Sequence, residues 1–523
     1  MTPPPAKRAR TATSTTNGTT AEVVANDHPA VDQHLDHKDD DSLSEYSDEE
    51  EDLRPRKRPT PQDDQQQNQA MYLDTIRRTA LDFDFEKVCS VSLSDLNVYA
   101  CLVCGKYFAG RGPQSHAYTH AVHTGHAVYM HLRTHKFYVL PDSYPVTDAS
   151  LNDIKHVVDP TYTRQAIAAI DSPAGAGAAG ALDLAYKPYV PGFVGLNNVK
   201  ANDYVSVVVH ALARVRPLRD FFLLRGSTDG ATDALAEHSG IVRQLGLLLR
   251  KIHNPRAFKA HVSPHEFLQE LNSSSRRQFK LTDQGDPIAV LTWLLNAVHS
   301  DLRRRPPRSS LVFDTFQGTV AVRTQSVETA TEDERQLNES KRQQGISEPR
   351  EFDDARGIQT QTSPFLVLAV ELPPPPLFQD EYERNIIPQA SLVELLEKYN
   401  GVTVRQYGDT IKQYRVTKLP QYLIIHIKRF VKNNWTLEKN PTIVNFSAIV
   451  ESPTGETRYS LVANIVHDGE IGTGKGAYKV QVHNKSQGQW YSIQDLAVQE
   501  IMPQLVALGE SYIQIWERFD VQH

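Results

Sequence analysis

Cysteine is nearly missing from this chain of 523 residues, which has only Cys89, Cys101 and Cys104, all close together. An odd, clustered set cannot build a disulfide framework and suits a reducing compartment. From residue 105 onward there is none, so thiol chemistry is excluded from most of the sequence. Long apolar runs are also missing. No stretch approaches the roughly 18 residues that a membrane helix needs, and the start, MTPPPAKRAR, lacks the apolar core of a secretory signal. The expectation is a soluble, intracellular protein with no membrane partner. Nor is there an excess of one charge: 56 Lys and Arg stand against 63 Asp and Glu. One acidic tract between Asp39 and Asp52 accounts for more than the whole of this small surplus, and without it the balance turns slightly positive. The net sign therefore reports a tract, not a basic body that coats nucleic acid.

Residues 1–70 are rich in Thr, Pro, Asp, Glu and Gln and poor in large apolar side chains. Such a segment cannot offset the ordering entropy of a core, so a disordered arm is predicted. Its basic clusters, Lys7 to Arg10 and Arg54 to Arg58, read as nuclear-import signals. Ser42 and Ser47, each with Glu three residues on, suit an acidophilic kinase. Residues 71–160 are dense in Cys, His and aromatics. The stretch 161–187, containing PAGAGAAGA, reads as a flexible linker. Residues 188–523 then read as one large α+β domain. Apolar spacing predicts helices over Val205 to Leu212, Ile241 to Ile252 and Asp286 to Leu302. Strands are predicted over Phe365 to Leu372, Tyr422 to Phe430, Tyr459 to His467, Ala477 to Asn484 and Ser511 to Phe519. A polar insertion of about residues 324–362 separates the two parts.

Cys101-Leu-Val-Cys104 is a knuckle that lets two thiolates meet one tetrahedral zinc. His116, His120, His123 and His126 follow, and two of them could complete the site. A helix from Ser115 to Thr124 would put His116 and His120 on one face, with Gly125 ending it and turning His126 back. A redox role for the CxxC is the lesser rival, because no strand-to-helix pattern surrounds it. Only Lys106 and Arg111 are fixed cations within 101–126, too few for strong phosphate binding, so any RNA contact is expected to be indirect.

The string CLVCGKYFAGRGPQSHAYTHAVHTGHAV resembles the zinc finger of ubiquitin-specific proteases. The resemblance implies one structural Zn2+ on Cys101, Cys104, His120 and His126. Cys89 and His116 match ligands of a second zinc in such fingers, but Ala109 replaces its other cysteine, so no second metal is expected. Arg111 and Tyr99 match a pocket for the ubiquitin C-terminus, with Tyr99 in place of the more usual Trp.

The large domain resembles the papain-like ubiquitin-specific-protease fold, with helical thumb, β-rich fingers and palm. GFVGLNNVKANDY keeps the frame of the nucleophile box at Gly195, Leu196, Asn198 and Tyr204. Asp203 stands at the cysteine position and Ala201 at that of the oxyanion Asn. The histidine box has Gly476-Ala477-Tyr478 where the family has Gly-His-Tyr, so Ala477 takes the place of the base, while Asp495 keeps the third position. A thiol protease needs a thiolate, a base and an oxyanion donor, so the resemblance implies no enzyme. Asp203 is expected to be a helix N-cap instead, and His483 a strand or turn residue rather than a displaced base. With YLDTIRR, LDFDFEKVCS and GLNNVKANDY, the whole resembles the snRNP-assembly-defective family. That implies a nuclear, non-catalytic scaffold whose partners are proteins of the spliceosomal tri-snRNP. The runner-up is a reader of ubiquitin or a ubiquitin-like protein, without protease activity.

Overall fold

The computed structural model describes residues 71–173, 179–224, 237–303, 309–326, 352, 357–374, 387–407, 410–432, 437–455, 457–470 and 476–519. The acidic tract, both basic clusters, Ser42, Ser47 and most of the polar insertion lie outside the described residues.

In the first folded part, short strands follow turns that the local residues favour. β1 (Val98–Cys101), β2 (Tyr107–Ala109), β3 (Val128–His131), β4 (Phe137–Val139) and β5 (Tyr144–Val146) form one antiparallel sheet in the order β2-β1-β3-β4-β5. The knuckle turn between β1 and β2 needs Gly105 at φ +74°, where an added Cβ would fall 2.2 Å from the Ala80 carbonyl oxygen. α1 (His116–Thr124) crosses between β2 and β3 and ends where Gly125 takes the left-handed conformation, as expected.

In the large part, α2 (Asp203–Leu212) is buried at every residue. Its four valines are weak helix formers, so tertiary packing, not propensity, makes this segment a helix. It lies against the palm sheet, and α3 (Gly240–Ile252) and α4 (Pro287–Leu302) complete the helical thumb around the same apolar core. α4 starts on a strong signal, with Asp286 accepting from the Ile288 N–H at 3.0 Å and Pro287 in the first turn.

The strands make two main sheets. β6 (Gly318–Ser326), β7 (Gln359–Phe365), β9 (Asn400–Tyr407) and β10 (Thr410–Lys418) form the antiparallel fingers in the order β7-β6-β10-β9. β8 (Val367–Glu371), β11 (Tyr422–Lys428), β12 (Arg458–Gly469), β13 (Gly476–Asn484), β14 (Gln489–Gln494), β15 (Ala497–Ile501) and β16 (Ser511–Phe519) form the palm in the order β8-β11-β16-β12-β13-β14-β15. The segment Ile449–Glu451 adds an eighth strand beside β12. All five expected strands are present. The polar insertion is shorter than the sequence suggests, because residues 324–326 and 359–362 belong to the paired strands β6 and β7. Their polar side chains mislead: in a two-faced sheet the backbone ladder, not burial, holds them.

The 161–187 stretch is likewise more ordered than a linker. Tyr162 is buried and donates to the Arg250 carbonyl at 2.6 Å, the helix Arg164–Ala169 follows, and Asp171 makes a bidentate pair with Arg219 at 2.8 Å. Scattered apolar residues, too few to show a period, dock on the thumb.

An extended segment joins the finger-bearing part to the thumb. Leu81 and Phe83 are buried in the finger core, while Asp82, Asp84 and Glu86 of the same segment reach the thumb. Asp84 pairs with Lys251 at 2.7 Å and accepts from the Ser263 N–H at 2.9 Å. Asp82 pairs with Lys259, Glu86 meets His265 at 3.0 Å, and Arg250 reaches Asp159 at 2.8 Å. Burial pushes the Asp84 carboxyl up, but Lys251, the Ser263 N–H and Lys259 outweigh it, and the group is held below its ordinary value. Burial pushes Lys251 down, yet Asp84, Glu266 and Asp82 hold it above its ordinary value.

Asp84→Ala strands the Lys251 ammonium and is expected to cost about 3–5 kcal/mol; urea unfolding measures it, and Asp84→Leu combined with Lys251→Met should recover much of the loss. For pH, a lowered aspartate contributes fully above its ordinary value of 3.8 and loses that contribution as pH falls through the folded value. A raised lysine contributes fully below 10.5 and loses it as pH rises through the folded value. Unfolding at a series of pH values should therefore find the pair at full strength between those limits, and Asp84→Ala should flatten the acid limb.

Candidate functional site

Two places gather chemistry. In the first, β1 and its turn supply Cys101 and Cys104, α1 supplies His120, and the chain turning back after Gly125 supplies His126. Their ligand atoms all lie within 4.8 Å of one another, and this is the one such group among the described residues. Cys101 Sγ is 3.5 Å from His126 Nδ1, Cys104 Sγ is 3.4 Å from His120 Nε2, and the two imidazole nitrogens are 3.2 Å apart. Phe108 stacks on His120 at 4.2 Å and fixes its ring plane. The hydrogen bond from Cys101 pulls the Cys104 thiol down to about 4, while Cys101 itself is pushed up. Two soft sulfurs and two imidazoles in a closed group fit a tetrahedral zinc. His116 and His123 are not part of this group. Cys89 is buried apart from the group, its sulfur taking the Ser92 N–H at 3.5 Å.

Beside this group, Arg111 packs on an aromatic ring. Its guanidinium lies 4.5 Å from the centre of the Tyr138 ring, and Tyr138 meets Tyr99 edge-on at 5.9 Å. Tyr99 is only 3% exposed.

The second place is the head of α2. Asp203 is the first helical residue, and Asn202, before it, occupies the cap. This corrects the expected N-cap role: no side-chain cap bond forms at this helix end. The Asp203 carboxylate turns outward to the palm, where Oδ2 accepts from the Tyr478 N–H at 2.8 Å and from Gln284 Nε2 at 2.7 Å. Gln284 also donates to the Gly476 carbonyl at 3.2 Å. The carboxylate thus takes a strand N–H, a stronger acceptor use than a fraying helix end offers in a buried setting. Its other oxygen is buried with no partner.

Asn198 accepts from the Asn202 N–H at 2.9 Å and also bonds Asp495. Burial raises the Asp495 carboxyl, the bond from Asn198 opposes this, and the charge of Asp203 raises it further. Asp495 sits at φ 50°, and its carbonyl accepts from the Leu196 N–H at 2.9 Å. Gly195 permits that approach, since a Cβ there would fall 2.7 Å from Leu496 Cα. Ala201 is half-buried in the loop before α2, and Ala477 sits on β13 opposite Asp468. The structure therefore brings Asp203, Asp495 and the backbone around Ala477 together. His483 lies five residues beyond Tyr478 on β13, about 16 Å along the strand, stacked on Trp490 at 5.1 Å. His467, opposite Tyr478, is the imidazole nearest the strand start; burial and then Lys439 push it down to about 4, so it is neutral.

Comparison with known proteins fits this geometry. The family described as ubiquitin carboxyl-terminal hydrolase matches residues 194–516, and the zinc finger found in ubiquitin hydrolases and other proteins matches residues 89–151. The chain belongs to the ubiquitin carboxyl-terminal hydrolase family. It is 43% identical over 91% of its length to ubiquitin carboxyl-terminal hydrolase 39 of Homo sapiens, covering 85% of that protein. It is 44% identical over 86% of its length to the probable mRNA-splicing protein ubp10 of Schizosaccharomyces pombe, covering 89% of that one. Among solved structures, an essential yeast splicing factor matches with a TM-score of 0.68 and 28% identity, over 86% of this chain and all of that one.

Within this hydrolase-family fold, sequence reasoning missed Gln284. It lies in a polar loop with no motif around it, and only the folded loop brings it to Asp203 and Gly476. Asp203→Ala leaves the buried Tyr478 N–H unsatisfied and is expected to cost about 1–3 kcal/mol, whereas Asp203→Asn keeps an acceptor and should cost much less. Thermal and chemical unfolding of both variants checks the pair. Equal losses would mean that the charge, not the hydrogen bond, matters.

Proposed function

We propose that this chain is a non-catalytic scaffold in pre-mRNA splicing that helps assemble or maintain the tri-snRNP. The observation that carries the reading is likeness along nearly the whole chain to proteins named for splicing. The head of α2 supports the silence: a carboxylate tied to the Tyr478 N–H occupies the place of a nucleophile, and neither Ala201 nor Ala477 can serve an oxyanion or a base. On this reading residues 71–160 are the finger, 161–187 a connecting segment, and 188–523 the protease-like body. One zinc sits on Cys101, Cys104, His120 and His126 and contributes folding free energy. The protein works in the nucleus, and its partners are tri-snRNP proteins.

Metal analysis of the purified protein should give one zinc per chain, lost with unfolding of the finger in Cys104→Ala. A metal-loaded, folded Cys104→Ala protein would contradict the ligand set. The protein should not react with a ubiquitin thiol probe. Depletion followed by rescue, read as intact tri-snRNP and unspliced transcript, tests the scaffold. Unchanged splicing together with shifted ubiquitin conjugates would reject it.

A further inference from the structure

Side-chain alternation gathers cations on one open face of the fingers. Successive side chains of a strand point to opposite faces, and the register pairs Ala321 with Arg415, Arg323 with Gln413, and Arg323 with Thr360 of β7. Arg323 and Arg415 therefore stand as diagonal neighbours on one face. Between that face and the palm turn that carries Thr454 runs a groove of about 580 Å³, to which Arg518, near the end of β16, adds a third guanidinium. Among the described residues that line it there is neither an acid nor an aromatic ring.

Arg323 is held in place. Arg323 donates from Nη1 to Gln413 Oε1 at 3.1 Å, and the Phe352 ring lies 5.0 Å from its guanidinium. Gly401, at φ +78°, leaves room for the Arg415 stem: a Cβ there would fall 2.8 Å from Arg415 Cγ. Arg415 and Arg518 are exposed.

We propose that this groove docks an extended, Asp/Glu-rich peptide segment of a partner protein. Guanidinium forks match carboxylates in two-point hydrogen bonds, and held guanidiniums lose less freedom on pairing than lysines would. The hydroxyls of Thr360, Thr417 and Thr454 can meet the peptide backbone. A single-stranded nucleic acid fits less well, since its bases stack on aromatic platforms and the described lining residues include none. The inference rests on the groove alone and stands apart from the splicing reading.

The test is fluorescence anisotropy with the purified full chain and three labelled probes: oligo-glutamate, oligo-glutamine and oligo-uridylate. Oligo-glutamate should bind, oligo-glutamine should not, and added salt should weaken the complex. The double variant Arg323→Gln/Arg415→Gln should lose at least about tenfold in affinity, and Arg415→Glu alone should weaken binding with an unchanged unfolding midpoint. The proposal is overturned if oligo-glutamate binds no better than oligo-glutamine, or if the double variant binds it as well as the parent does. Preferential binding of oligo-uridylate that the double variant abolishes also overturns it, in favour of a nucleic-acid groove.

Discussion

The carboxylate of Asp203 ties the thumb to the palm. It sits at the head of a helix buried on every side and accepts a backbone N–H from the strand that faces it. A buried acid is costly unless it is hydrogen-bonded, and here the Tyr478 N–H and Gln284 serve one of its two oxygens. The same contact sets the spacing between α2 and β13. It also brings Asn198 and Asp495 into one connected polar group beneath the apolar core. In a thiol hydrolase the two sides of this cleft must keep a reactive gap between them. Here they are joined by a hydrogen bond.

The junction between finger and thumb works by the same logic with opposite charges. One segment of chain divides its residues, Leu81 and Phe83 to the finger core and Asp82, Asp84 and Glu86 to the basic edge of α3 and the residues after it. Burial makes each unpaired charge expensive, so the pairs specify which surface meets which. For a protein that acts by holding others, a fixed relation between its own parts is a useful property. The arginine face of the fingers adds a surface whose chemistry differs from either of these sites.

The metal group shows how local rules assemble a site from distant residues. CxxC places two sulfurs on one turn, α1 sets His120 above them, and Gly125 reverses the chain to deliver His126. The knuckle, the helix and its end follow from spacing and from one left-handed glycine, and so were legible in the sequence. The choice among four histidines was not legible from spacing; the resemblance made it, and the folded geometry gathers the same two.

The sequence by itself determined the element types over strongly patterned segments and the family, and it puts an aspartate at 203 and an alanine at 477, because residue identity and short-range periodicity carry that information directly. Tertiary structure alone decided what those residues meet. That Asp203 turns away from its own helix to a strand N–H, that Gln284 reaches both, that Tyr162 and Asp171 dock a stretch that reads as linker, and that Arg323 and Arg415 share a face with Arg518 all depend on partners far away in the chain. Such contacts arise from which surfaces the apolar core brings together, and no local window of sequence holds that choice.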